Sequence, residues 1–142
     1  SDIKYCRTTI SSYGFDMPTD WLRLKPTCHH NDSRLSELTE RFLNTSPDRI
    51  PYLFYLWGHS YEFDNDNNWK LIEDFAEKVG GRDDIWYATN IEIYDYVQAF
   101  CSLIFASDGS FAINPTATDV WLYDYRCGNT IKIAANSRVD FE

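Results

Sequence analysis

Apolar residues recur at the spacing of an amphipathic helix in three segments of the chain. In the first segment Leu35, Leu38 and Phe42 share one face, and Asp32 or Ser33 can serve as the N-cap. The other two predicted helices are residues 67–81, capped by Asp66 or a neighbouring Asn and ended by Gly80 and Gly81, and residues 91–101, capped by Asn90.

Shorter apolar runs between these segments have the length and composition of strands. Residues 3–9 are rich in β-forming residues, residues 21–30 alternate until Pro26 interrupts them, and residues 84–89 form a short apolar run. Residues 50–59, "IPYLFYLWGH", are continuously apolar, which is typical of a strand covered on both faces. The order β, loop, α, β, α, β, α predicts a parallel sheet with helices packed outside it.

The pattern changes after Ser102 to that of antiparallel hairpins. Residues 103–114 have turn residues around Gly109, and residues 119–133 have them at Gly128 and Asn129. We therefore predict an α/β part over residues 1–101 and a β-hairpin appendage over residues 102–142, packed together as one domain.

Charge and length narrow the possible partners. The chain has 13 basic and 22 acidic residues and a formal charge of -9, which disfavours nucleic acid. No stretch approaches the about 20 apolar residues of a membrane span, and no signal peptide is evident, which favours a soluble protein. The compartment stays open, with the cytoplasm slightly favoured. Because the first residue is serine, the native start is expected to be missing.

His59 follows the most apolar predicted strand directly. Reactive side chains in parallel α/β proteins gather at the carboxyl ends of the strands, and Gly58 permits close approach of backbone or ligand there. Tyr61 and Glu62 follow in the same loop. The position indicates either a functional histidine or one that bonds a neighbouring carbonyl.

Three other features have simpler explanations. The run "DNDNN" at 64–68 lacks the glycine and final acid of a calcium loop and suits a helix N-terminus. His29 and His30 are adjacent, and neighbours on an extended chain point apart, so a packing role is favoured over shared metal binding. The four cysteines form no C-x-x-C pair and are predicted to be buried free thiols.

Several stretches together resemble the polysaccharide deacetylases, metal-dependent carbohydrate esterases built on a distorted barrel of β/α units. The resemblance rests on "YCRTTISSYGFDMP", "PTCHHND", "YLFYLWGHSYEFDNDNNWKLIEDF" and "IWYATNIEIYDYVQA", and it spans about residues 3–101. Its most specific part is "WGHSYEFD". By this resemblance residues 1–101 are the C-terminal half of the distorted barrel, and the hairpins are an antiparallel appendage.

The resemblance implies roles for individual residues. His59 matches the general acid of the family, and Trp57 or Leu56 would help to line the acetyl pocket. Trp57, Tyr61 and Glu62 are therefore expected to contact or orient an acetylated saccharide. The parent protein would be a hydrolase that removes acetyl groups from N- or O-acetylated sugars.

The resemblance also implies a missing part. The family holds zinc or another divalent metal through an aspartate of an early aspartate pair and two spaced histidines, and this chain has neither. We therefore expect no metal in this chain, a metal in the full-length enzyme, and no activity from the 142 residues alone. The alternative is a non-catalytic carbohydrate-binding or assembly module on a degenerate barrel. Exposed edges at residues 3–9 and 84–89 are expected to favour self-association.

Overall fold

The computed structural model describes residues 3–46 and 51–141. Within them the protein is mixed α/β, with four α-helices and three small sheets, none of which closes. The chain divides between Trp86 and Tyr87 into two compact units. This boundary precedes the last helix, whereas the sequence pattern predicted a boundary at residue 101.

A short parallel strand pair organises the first unit. β1 (Cys28–His29) pairs with β2 (Leu56–Trp57), with Cys28 opposite Leu56 and His29 opposite Trp57. Backbone hydrogen bonds continue the pairing from Thr27 to Tyr55 at 2.8 Å and from His30 to Trp57 at 2.9 Å. The predicted strand over 50–59 is thus confirmed only at Leu56–Trp57, and both residues are partly exposed, not covered on both faces; Ile50 lies outside the described residues.

Two of the other predicted strands are wrong. Residues 3–9 contribute only an isolated parallel bridge, from Arg7 to Leu24, and a 3₁₀ helix over Trp21–Arg23 precedes that partner. Residues 84–89 form no strand. Apolar composition alone was insufficient there, because a strand also needs a partner in register. The edges expected to drive self-association are therefore not regular strands.

Three helices complete the first unit. α1 (Leu35–Asn44) and α3 (Trp69–Val79) confirm the helical spacing read from the sequence. The N-cap of α1 is Arg34 and not the predicted Asp32 or Ser33, although Asp32 Oδ1 accepts the backbone N–H of Arg34 at 3.0 Å. The sequence analysis missed α2 (Ser60–Asn65), which contains part of the acidic run.

The core of the first unit is aromatic and lies between α1, α3 and the strand pair. Phe15, Cys28, Leu35 and Leu38 are buried, and the Phe15 ring stacks on Phe54 at 5.8 Å. Burial raises the pKa of the Cys28 thiol to about 11. The other three cysteines are exposed, so the prediction of buried thiols holds only for Cys28.

The second unit contains one helix and the β-rich tail. α4 (Asn90–Cys101) is capped by Thr89 and not by the predicted Asn90. β3 (Ile104–Phe105), β4 (Phe111–Asn114) and β7 (Ser137–Asp140) form an antiparallel sheet in the order β3-β4-β7, and β5 (Val120–Asp124) pairs with β6 (Asn129–Ile133). Both predicted hairpins are confirmed, and β7 is an addition that the sequence analysis missed.

A buried asparagine joins the strands of this unit. Asn114 donates to the carbonyls of Thr118 at 2.8 Å and Ile133 at 3.1 Å, and its Oδ1 accepts from the Thr116 backbone N–H and hydroxyl. Its polar atoms are therefore satisfied despite complete burial. Among the described residues, no helix has both the length and the apolar character needed to cross a membrane.

Candidate functional site

The site lies where β1 and β2 end. The two strands are parallel and in register, so the residues that follow them emerge at the same edge. His29 closes β1, and His59 is the N-cap of α2 two residues after β2 ends. All three histidines of the chain are thereby gathered near one edge of the strand pair.

One carboxylate oxygen connects the three imidazoles. Glu62 Oε2 lies 3.2 Å from His29 Nε2, 3.3 Å from His59 Nδ1 and 3.7 Å from His30 Nε2. The same oxygen accepts the backbone N–H of His59 at 2.9 Å, which holds Glu62 in the capping position of α2. This hydrogen bond lowers the pKa of Glu62, partial burial opposes the shift, and the nearby His29 charge reinforces it.

His30 is the buried member of the group. Its residue is 1% exposed, and its ring lies 4.2 Å from Phe63 and 4.3 Å from His29. Neither ring nitrogen has a hydrogen-bond partner in the described part of the chain. Burial, followed by the charge of His29, lowers the pKa of His30. Such an unpaired buried imidazole is unusual in a folded protein and calls for a physical explanation.

The expectation that His29 and His30 point apart is wrong. The strand ends at His29 and the chain turns at His30, so the alternation of an extended backbone does not continue. The two rings instead contact each other in a tilted arrangement, with centroids 4.3 Å apart and an interplanar angle of 32°. Gly58 makes room for this arrangement, because a Cβ there would lie 1.7 Å from His30 Nδ1.

His29 is held in one orientation by the following loop. The backbone N–H of Asn31 donates to His29 Nδ1 at 3.2 Å, so the proton of the neutral ring lies on Nε2 and faces Glu62. Side-chain hydrogen bonds from Asn31 to Asp66 at 3.0 Å and from Asn68 to Asn31 at 3.2 Å fasten the loop to the end of α2.

The remaining residues singled out in the sequence lie in the same cluster. The Trp57 ring contacts His29 edge-on at 4.4 Å and carries the Arg7 guanidinium over its face at 4.0 Å. Tyr61 stacks on His59 at 5.2 Å and is 58% exposed. The structure therefore brings together His59, Trp57, Tyr61 and Glu62, and it adds His29 and His30, which the sequence analysis had assigned to packing.

The signal that could have identified His29 was topological. "CHH" and "WGH" each end a short apolar run, and pairing those runs in parallel places the histidines at one edge. The cluster also contains a possible set of metal ligands, which the sequence pattern did not predict for this chain. The ligand atoms of His29, His59 and Glu62 all lie within 4.8 Å of one another.

Comparisons with protein-family models, with curated proteins and with solved structures find no match for this chain.

Proposed function

We propose that the chain contributes the proton-donating part of a polysaccharide deacetylase, a hydrolase that removes acetyl groups from N- or O-acetylated sugars. The observation that carries the proposal is the half-exposed His59 ring, which lies at the end of a parallel strand with the Glu62 carboxylate 3.3 Å behind it. The resemblance of residues 3–101 to the C-terminal half of the family's distorted barrel supports the same role.

Hydrolysis of an acetamide needs a polarised carbonyl, a base for the attacking water and an acid for the departing amine. A divalent metal, bound in such enzymes by the half of the domain that has no counterpart here, would polarise the carbonyl and acidify the water. In this proposal His59 supplies the proton for the amine. No residue of this chain is assigned the role of base, so the 142 residues alone are expected to release no acetate.

The neighbours of His59 have distinct tasks in this mechanism. Glu62 is a positioning residue: it fixes the His59 backbone by accepting its N–H at 2.9 Å, and its carboxylate oxygen lies 3.3 Å from His59 Nδ1. Tyr61 covers one face of the His59 ring, and Trp57 provides an apolar wall beside it for an acetyl group. The exposed side of His59 stays available to substrate.

The test uses the longer enzyme that the proposal implies, with acetate release from N-acetylated oligosaccharides as the assay. His59→Ala should lower kcat by about 10² to 10⁴, the usual range for loss of a general acid, while metal content and melting temperature stay unchanged. A second variant, Glu62→Gln, removes the carboxylate charge beside His59. Its matched control is Glu92→Gln, because Glu92 caps α4 in the same way, at 2.7 Å from the Thr89 backbone nitrogen, and has no histidine in its capping box. A destabilised His59→Ala enzyme with normal kcat would remove the basis for the acid role.

The exposed Tyr61 ring favours a second candidate, a non-catalytic carbohydrate-binding module. A planar, half-stacked ring at the rim can pack against the apolar face of a sugar. In that case the chain alone binds acetylated oligosaccharides, Tyr61→Ala abolishes the binding, and the longer protein releases no acetate whether His59 is present or not.

A further inference from the structure

The three histidines of the chain lie around one carboxylate oxygen of Glu62. Imidazole nitrogens and carboxylate oxygens can bind a metal ion as well as a proton. We propose that His29, His59 and Glu62 form a binding site for one divalent transition metal ion. This site uses residues of the C-terminal half only. It is therefore separate from the metal that the resemblance expects in the other half of the enzyme.

The first support is geometric. Zinc bonds of about 2.0–2.2 Å to nitrogen and oxygen place neighbouring ligand atoms of a tetrahedral site about 3.3–3.5 Å apart. The separations of Glu62 Oε2 from His29 Nε2 and His59 Nδ1 are 3.2 Å and 3.3 Å. Two edges of the coordination polyhedron therefore exist already, and closing the third requires the two imidazoles to approach each other, since the three ligand atoms lie within 4.8 Å of one another.

The second support is the unpaired buried ring beside this set. His30 is 1% exposed, has no hydrogen-bond partner at either nitrogen, and lies with Nε2 3.7 Å from Glu62 Oε2. A buried polar group of this kind requires a partner. A metal ion held by Glu62, or a water in its fourth coordination position, would provide one.

The donor chemistry indicates which metals fit. Two imidazoles and one carboxylate suit zinc, cobalt or nickel and are poor ligands for magnesium or calcium, which prefer all-oxygen sites. Metal binding would cost His29 one hydrogen bond. Its ring can ligate through Nε2 only when its proton moves to Nδ1, where the Asn31 N–H now donates at 3.2 Å. That hydrogen bond is exchanged for the bond to the metal.

Occupation of the site has a consequence that rests on the proposed function. A ring bound to a metal through Nδ1 cannot also be a doubly protonated imidazolium, so His59 loses its acidic form while a metal is bound to it. Metal and proton are then alternative occupants of the cluster, and loading it would inhibit a deacetylase. The binding itself does not depend on that function.

The experiment measures metal binding by the 142-residue chain. The three exposed cysteines are first replaced by serine to remove competing thiolates; they are Cys6, Cys101 and Cys127. Zn²⁺ is titrated in competition with a chromophoric chelator, and Co²⁺ is followed by its visible absorption, which reports a nitrogen and oxygen ligand field. We expect one ion per chain.

Variants then identify the ligands. His29→Ala, His59→Ala and Glu62→Gln should each weaken Zn²⁺ binding by more than the about 10- to 100-fold typical of outer-shell changes. Glu92→Gln removes an equivalent helix cap and should leave binding unchanged. Circular dichroism of each variant confirms that it is folded, and direct ligation can be read from the Co²⁺ spectrum of Glu62→Gln.

Two results would overturn the inference: no stoichiometric Zn²⁺ binding by the folded chain, or binding that persists in both His59→Ala and Glu62→Gln. Neither result bears on acetate release. Conversely, a longer enzyme in which His59→Ala has normal kcat would overturn the proposed acid role and leave the metal site intact, so the two proposals fail independently.

Discussion

Gly58→Ala tests the packing that holds the histidine cluster together. The added Cβ would lie 1.7 Å from His30 Nδ1, 2.5 Å from Cε1 and 2.9 Å from Cγ. Ordinary contacts between such atoms are about 3.5–4.0 Å, so the ring would have to move by about 2 Å. Phe63 and His29 lie 4.2 Å and 4.3 Å from that ring, which leaves it little space.

The expected loss is at the upper end of the range for overpacking, about 3 kcal/mol. For a chain of this size that corresponds to a fall of about 6–12 °C in melting temperature, provided that unfolding of the first unit is followed. Urea titration monitored by the amide signals of α1 serves that purpose and gives the change in midpoint directly.

Gly14→Ala is the matched control. The nearest atoms to its added Cβ, on Asp16 and Ser12, are both 3.9 Å away, and we expect its stability to change by no more than about 1 kcal/mol. In a His30→Ala background the ring is gone, so Gly58→Ala should then cost about 1 kcal/mol or less. Equal midpoints for the Gly58→Ala and Gly14→Ala single variants would refute the reasoning, as would an undiminished cost in the double variant.

Three further predictions concern the core, the thiols and one turn. Leu38→Ala should cost about 2–5 kcal/mol because Leu38 is 2% exposed, whereas Leu22→Ala, at an exposed position, should stay within about 0.5 kcal/mol in urea titrations. A thiol reagent at pH 8 should label the three exposed cysteines quickly and Cys28 only on unfolding, since Cys28 is buried and its pKa is raised to about 11; four equally fast thiols would contradict this. Hydrogen bonds from Arg126 lower the pKa of Asp124 from 3.8 to about 2. The charged carboxylate therefore stabilises the β5–β6 turn fully above pH 3.8, and this stabilisation is lost as the pH falls through about 2. Asp124→Asn should remove that acid dependence from the amide shifts of the turn, and an unchanged pH profile would argue against it.

Local chemistry was sufficient to predict much of the secondary structure. Helical spacing identified α1, α3 and α4, because the apolar repeat of an amphipathic helix is visible within about a dozen residues. The hairpin turns at Gly109 and Gly128 were also readable, since both glycines adopt positive φ, 73° and 72°, which other residues rarely accept. These features depend on neighbours in the sequence.

Strands were predicted less well because they depend on distant partners. The apolar run at 84–89 has strand composition and forms no strand, while β7 has an unremarkable sequence and pairs with β4 along its length. Composition indicates whether a segment favours an extended backbone. Whether that segment becomes a strand depends on hydrogen bonding to another segment.

The candidate site also combines residues that are neighbours in the sequence with residues that only the fold brings together. By itself the sequence determined that His59, Trp57, Tyr61 and Glu62 would be neighbours, because they lie within six residues at the end of one apolar run. Only the tertiary structure decided that His29 and His30 join them. Parallel pairing of Cys28 with Leu56 brings two segments to one edge, and the turn at His30 brings into contact two rings that an extended chain would separate. That register depends on contacts between segments far apart in the sequence, and the residues that flank the histidines do not determine it.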